Sequence, residues 1–216
     1  MIADEIDDPL LIMMAYGNLA FLEANLGNSV VAQSLYQKAM VFAEEEQNPF
    51  LLAITLNGLG TVEEALGNMS QSQRFYESSL EIVEGLGDKH TVALVLGNLS
   101  NLMMKQGRYA KAEEYICKSL TVGRISGVVR ALLLSLEMYA ELLQATHQYS
   151  LAAQVLGGTS SVREDIGQPL PKKNHEAYEE RLNDIRKQLG EDAFASAWEV
   201  GKAMTLEEAI SYALQD

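Results

Sequence analysis

The chain is short of the residues that commit a protein to covalent or metal chemistry. A single cysteine, Cys117, among 216 residues excludes a disulfide framework and any multi-cysteine zinc or iron–sulfur site. Basic residues are scarce as well: 16 Lys and Arg stand against 30 Asp and Glu, a formal net charge of −14. That balance argues against direct binding to nucleic acid or an anionic membrane, both of which attract basic surfaces. Long apolar runs are missing. The longest, Leu10 to Tyr16, falls far below the ~20 residues that span a bilayer. No basic region followed by an apolar stretch opens the chain, so a cytoplasmic address is expected. There is no G-x-x-x-x-G-K-[ST] phosphate loop. What is present is apolar: 48% of the residues, too many for a chain that stays disordered.

The charge is unevenly spread. Residues 1–88 hold 14 acids and only two bases, Lys38 and Arg74, a net −12. Residues 89–160 carry a net +3, and residues 161–216 a net −5. The acidic end is expected to meet a basic partner or an upstream domain.

A shift of 40 residues aligns the chain with itself. Gly27, Gly67 and Gly107 share one column, with His147 in a fourth copy. Leu19, Leu59, Leu99 and Tyr139 share the next, followed by the small Ala20, Gly60, Ser100 and Ala140. Further columns hold Ala32, Ser72, Ala112 and Ala152; Tyr36, Tyr76, Ile116 and Leu156; and Ala39, Ser79, Ser119 and Thr159. Each copy reads as two helices. In the second, Asn48-Pro49 supplies an N-cap and a first-turn proline. Leu52, Leu56, Leu59, Val62 and Leu66 follow helical spacing, and Gly67 closes the helix. After the turn Asn68-Met69-Ser70, a second helix is predicted from about Gln71 to Leu86. The small columns allow helices to cross closely, and the large ones fill the space between successive hairpins. Such a unit cannot bury its apolar face alone, so neighbours must stack.

This small/large pattern, with glycine at the turn inside each repeat, resembles the tetratricopeptide repeat (TPR), in the longer-helix variant found in kinesin light chains and many bacterial signalling proteins. The resemblance covers about residues 10–166 and implies an all-α fold, a right-handed α-solenoid of TPR-like helical hairpins with a C-terminal helical cap. Four repeats are expected, at about 9–48, 49–88, 89–128 and 129–166, inside a region 1–166. The family's tryptophan is absent from all of them, and its inter-repeat proline occurs only as Pro49.

Gly167-Gln168-Pro169-Leu170-Pro171 breaks the pattern. Residues 167–216 are expected to cap the array. The predicted helices are His175 to Leu189, about Glu191 to Ala203, and a third opened by the Thr205/Glu208 capping box. An ordered series carries a second resemblance. It comprises Val162-Arg163-Glu164, Gly167-Gln168-Pro169-Leu170-Pro171, Tyr178-Glu179, Gly190-Glu191, Phe194, Ala197-Trp198, Gly201-Lys202-Ala203-Met204 and Thr205-Leu206-Glu207-Glu208-Ala209. It resembles the C-terminal end of large bacterial ATP-dependent transcriptional regulators of the STAND, LuxR-type class. The resemblance implies that the chain is the sensor part of a longer regulator.

Catalytic candidates are weak. Gly58-x-Gly60 lies mid-helix, with Glu63 where a dinucleotide loop needs glycine. His90, His147 and His175 lack metal-ligand spacing, and Cys117 has no visible paired base. Neither a metal nor a cofactor is expected, and no enzyme. The runs Glu44-Glu45-Glu46 and Glu63-Glu64 read as solvated faces, because successive helical residues point ~100° apart. Met13-Met14 and Met103-Met104 fit core filling or an adaptable groove. Trp198 is expected to anchor the cap.

The strongest functional candidate is the concave groove that the first helices line in the TPR family. By register its residues would be Asn57, Thr61 and Glu64, then Asn101, Met104 and Lys105, then Glu137, Glu141 and Gln144. Asn18 and Asn98 sit where groove asparagines bond a peptide backbone in related arrays. The chaperone-binding carboxylate clamp needs several bases, and only Lys105 qualifies. A non-catalytic module is therefore expected, binding a protein, a peptide or a small ligand. The alternative is a free-standing scaffold for complex assembly.

Overall fold

A computed structural model describes residues 8–170 and 174–214 as eleven helices, with no strand among them. They are α1 (Pro9–Asn25), α2 (Ser29–Glu45), α3 (Pro49–Ala65), α4 (Met69–Leu86), α5 (Lys89–Lys105), α6 (Tyr109–Ser126), α7 (Val129–Ala145), α8 (Tyr149–Asp165), α9 (His175–Leu189), α10 (Glu191–Lys202) and α11 (Leu206–Leu214). None of the described helices is long and apolar enough to cross a membrane. The chain forms two compact units, residues 1–102 and 103–216. Pro171 of the expected breaker lies outside the described residues.

The helix ends follow from a few side chains. Asp8 caps α1 by accepting from the Leu10 and Leu11 N–H groups, and Asn48 caps α3 by accepting from Leu51 N–H at 3.1 Å. At the turns inside the hairpins, Gly27 (φ 83°), Gly67 (83°) and Gly107 (69°) take left-handed conformations. His147 takes the same place at φ 61°, so the fourth turn keeps its geometry without the glycine. In all four the following N–H reaches back five residues, as in Asn68 N–H to Glu63 O at 2.8 Å and Gln148 N–H to Leu143 O at 2.7 Å. A second 40-residue column closes the other ends: Gln47, Gly87, Gly127 and Gly167 all have positive φ. The helix expected from Gln71 starts two residues earlier, at Met69. Asn68 is why: it bonds Glu63 through both backbone and side chain, so the turn needs no further residue.

In residues 1–102, Ala20, Ala32, Tyr36, Leu59 and Val62 form one buried cluster, and Met13, Ala39 and Ala43 another. The mid-helix glycines are seats for rings. A Cβ on Gly58 would collide with the Tyr36 ring, and one on Gly60 would lie 2.5 Å from the Tyr76 ring. Their role is therefore packing. Ser79 adds a buried bond from its hydroxyl to Ala53 O at 2.7 Å. One column departs from its expected burial: Leu59, Leu99 and Tyr139 are buried, whereas Leu19 is exposed.

In residues 103–216, α6 packs on α7 and α7 on α8. Ser119 and Ser135 share a buried hydrogen bond of 2.8 Å between the first pair. The helix α10 crosses α8 backbone to backbone: a Cβ on Gly157 would lie 2.5 Å from Trp198 O, and one on Gly201 would run into Gln154 O. The Trp198 backbone lies against Gly157 at this crossing, and its ring stacks on Phe194 at 5.6 Å. The capping box of α11 forms as expected, with Thr205 N–H to Glu208 Oε2 at 2.7 Å and Glu208 N–H to Thr205 Oγ1 at 3.2 Å. The middle helix of the tail ends at Lys202, one residue short of expectation.

Candidate functional site

The polar residues expected in the groove divide between the two units. In residues 1–102 they lie on α1, α3 and α5. Asn57 and Asn98 are both half-buried, and Asn98 Nδ2 donates to Asn57 Oδ1 at 2.8 Å. The bond uses one donor and one acceptor. Asn57 keeps its N–H groups and Asn98 its carbonyl oxygen, the complement needed to bond an extended backbone. Thr61 Oγ1 donates to Asn57 O at 3.2 Å. The Tyr76 hydroxyl donates towards Thr61 Oγ1 at 3.1 Å and Glu64 Oε2 at 3.2 Å. Burial holds the Tyr76 pKa above its ordinary value, reinforced by the Glu64 charge, so the hydroxyl stays a donor. Asn18 and Asn101 are exposed.

In residues 103–216 the picture differs. The helix α9 lies beside α7 and engages its polar residues within the chain. From α8, Arg163 grips Glu137 Oε1 through Nη2 at 2.8 Å and Nε at 2.9 Å, with both side chains nearly buried. Arg181 Nη2 bonds Glu141 Oε2 at 2.7 Å, and Gln144 Nε2 donates to Asp184 Oδ2 at 2.5 Å. Glu141 with Arg181 and Gln144 with Asp184 are each 40 residues apart, as Asn57 and Asn98 are 41 apart. One rule covers all three pairs: α3 with α5, and α7 with α9, bond each other side to side through polar residues. Met104 is half-buried and Lys105 exposed.

A pocket of about 440 Å³ opens between α8 and α9, lined by residues that include Arg163, His175, Tyr178 and Glu179. Its basic group is spent on Glu137, and His175 Nε2 is tied to Leu170 O at 2.7 Å. Burial, with the Glu137 charge, raises the Tyr178 hydroxyl pKa. Cys117 sits half-buried with its Sγ 3.9 Å from Ala213 O, and burial raises its thiol pKa. That is the reverse of what a nucleophile needs.

Two features escaped the sequence. Glu63, expected on a solvated face, is buried and accepts from Gln33 Nε2 at 2.6 Å and Asn68 Nδ2 at 2.8 Å. Its amide partners answer the cost of burying the carboxylate. Phe21 stands 60% exposed in the column of Thr61, Asn101 and Glu141; the 40-residue register alone could have found it. The methionine pairs split, with Met13 and Met103 buried and their neighbours Met14 and Met104 not.

The tetratricopeptide repeat family profile matches residues 11–85 and 51–124. The chain belongs to the tetratricopeptide repeat family. No curated protein matches it in sequence. Solved TPR-like structures are similar in fold. The crystal structure of BtubC (BKLC) from P. vanneervenii is 21% identical with a TM-score of 0.61, covering 95% of this chain and 79% of that one. A kinesin light chain from P. anserina with nearly identical TPR-like repeats is 14% identical with a TM-score of 0.64, covering 96% and 97%. The apo form of RapI is 10% identical with a TM-score of 0.63, covering 98% and 87%. The architecture is thus an all-α TPR solenoid with a helical cap, and TPR repeats serve generally as protein-interaction scaffolds.

Proposed function

We propose that the chain is a non-catalytic TPR module that binds an extended peptide segment or a small ligand bearing amide groups. It would act as the sensor part of a bacterial signalling or transcription regulator. In this reading residues 1–166 hold four repeats and residues 167–216 close them. The observation that carries the binding role is the Asn57–Asn98 pair, two half-buried amides on α3 and α5 that bond each other and retain free donors and an acceptor. The regulator reading is supported by the ordered series from Val162 to Ala209, several of whose members hold α10 on α8 or open α11. Binding would bias an upstream switch through a difference in affinity between its states.

Panning the full chain against a random peptide display library tests the binding role. An enriched peptide should lose at least about tenfold in affinity on Asn57→Ala with Asn98→Ala, the scale of one or two hydrogen bonds. Peptides that bind the double variant equally well would place the site elsewhere. The regulator role is checked in the genome: a reading frame running upstream into a nucleotide-switch ATPase supports it. An isolated frame favours the free-standing scaffold.

A further inference from the structure

The first helix carries an apolar face that the rest of residues 8–102 leaves open. Leu11, Leu19, Leu22 and Leu26 are 51%, 45%, 56% and 73% exposed. Between Pro9 and Leu26 the only charged residue is Glu23. A helix apolar on every side is one that is covered on every side, and the outer helix of a finished array is polar on its outward face.

The 40-residue register identifies what this face is shaped for. The counterparts of Leu19, Leu22 and Leu26 are Leu59, Val62 and Leu66 in α3. Leu59 and Val62 are fully buried against Ala20, Ala32 and Tyr36 of the α1–α2 hairpin, with Leu66 packed beside them. The columns that α3 spends on the hairpin before it are therefore the columns that α1 leaves bare. A polar residue makes the same point independently. Asn18 occupies, two repeats earlier, the position of Asn98, whose amide bonds Asn57 on the preceding first helix. Asn18 is exposed and has no hydrogen-bond partner among the described residues.

We propose that this face of α1 is a docking surface for one further helical hairpin of the repeat's own type, joined ahead of Pro9 in the same register. Its second helix offers small residues and one ring to Leu19 and Leu22, as Ala32 and Tyr36 do for Leu59 and Val62. Its first helix offers an amide acceptor to Asn18. The far end of a second copy brings no such hairpin face, because α10 already lies across α8 at Gly157 and Gly201. The role of Asn18 then lies between helices, and the proposal stands apart from any ligand at Asn57 and Asn98.

The experiment extends the chain by one hairpin. An additional copy of residues 49–88 replaces residues 1–8 and joins directly to Pro9, so that the added Asp88 takes the capping place of Asp8. Amide hydrogen exchange across α1 should slow at least tenfold, and the denaturant slope should rise as more surface is buried. Leu19→Glu with Leu22→Glu in the host should abolish both gains while α3, α7 and α8 keep their protection, which shows the host still folded. An added hairpin that stays unprotected, or that protects α1 equally in the double variant, overturns the proposal. So does concentration-dependent dimerisation of the unextended chain that Leu19→Glu removes, which would assign the face to a second copy.

Discussion

The carboxylate of Asp88 carries the start of α5 almost alone. It accepts from the backbone N–H groups of His90 and Thr91 at 3.1 and 3.4 Å and from the Thr91 hydroxyl at 2.6 Å. The Thr91 hydroxyl bond, with the two backbone bonds behind it, holds the carboxyl below its ordinary pKa. A folded-state value below the unfolded ~3.9 means that the contribution is complete above about pH 4 and fades as pH falls through the depressed value. Replacing an N-cap aspartate by alanine costs about 1 kcal/mol. Asp88→Ala should therefore lower the unfolding free energy measured in urea by that amount near neutral pH, and by progressively less below pH ~4. Asp88→Asn keeps an acceptor and should flatten the dependence. A cost that is the same at pH 6 and pH 3 would refute the assignment. Glu63 marks what residue-level reading could not reach. Adjacent residues on a helix point ~100° apart, so Glu63 can turn inward while Glu64 does not, and nothing local says which will. The partner that accommodates it, Gln33, is 30 residues away in sequence.

At the scale of the element, glycine separates the crossing of α10 on α8 from the ordinary ends of helices. Gly201 faces Gln154 O and Gly157 faces Trp198 O, both backbone atoms that cannot rotate aside. A methyl group there must push the helices apart, and overpacking of this kind costs about 1–3 kcal/mol. Gly201→Ala should destabilise the chain by the upper part of that range and change the near-ultraviolet signal of Trp198. Gly85 in α4 has open space around its Cβ position, so Gly85→Ala should stabilise by up to about 1 kcal/mol through helix propensity alone. Equal effects of the two substitutions in chemical denaturation would contradict the crossing geometry. Element boundaries were legible where a local signal existed. Asn48-Pro49, Gly87 and the Thr205/Glu208 box all sit at helix ends. The crossing was not legible, because Gly157, Gly158 and Gly201 obey no local rule; their reason is a helix some 45 residues away. The same holds for α9. Its extent from His175 to Leu189 followed from periodicity, but its pairing with Glu141 and Gln144 depends on which helix it lies beside.

For the molecule as a whole the uneven charge is the controlling quantity. Residues 1–88 carry a net −12, and folding brings these charges closer than they stand in the unfolded chain. Self-repulsion of that kind opposes the compact state. Added salt shortens the Debye length from ~30 Å at 0.01 M to ~8 Å at 0.15 M and so screens the longer-range part of that repulsion. Sodium chloride over that range should therefore stabilise α1 to α4 by on the order of 1 kcal/mol, a few weak surface interactions' worth. The helices α5 to α7, in a segment of net +3, should gain less. Hydrogen exchange resolves the two regions in one sample. Glu44→Lys with Glu46→Lys, on the exposed end of α2, should reduce the gain in α1 to α4 by cutting the net charge there. Association of this end with a basic partner should weaken over the same salt range, because the screening that relieves the repulsion also weakens the attraction. Uniform protection of all helices on adding salt, or a gain unaltered by the two lysines, would show that packing alone sets the stability of the acidic repeats.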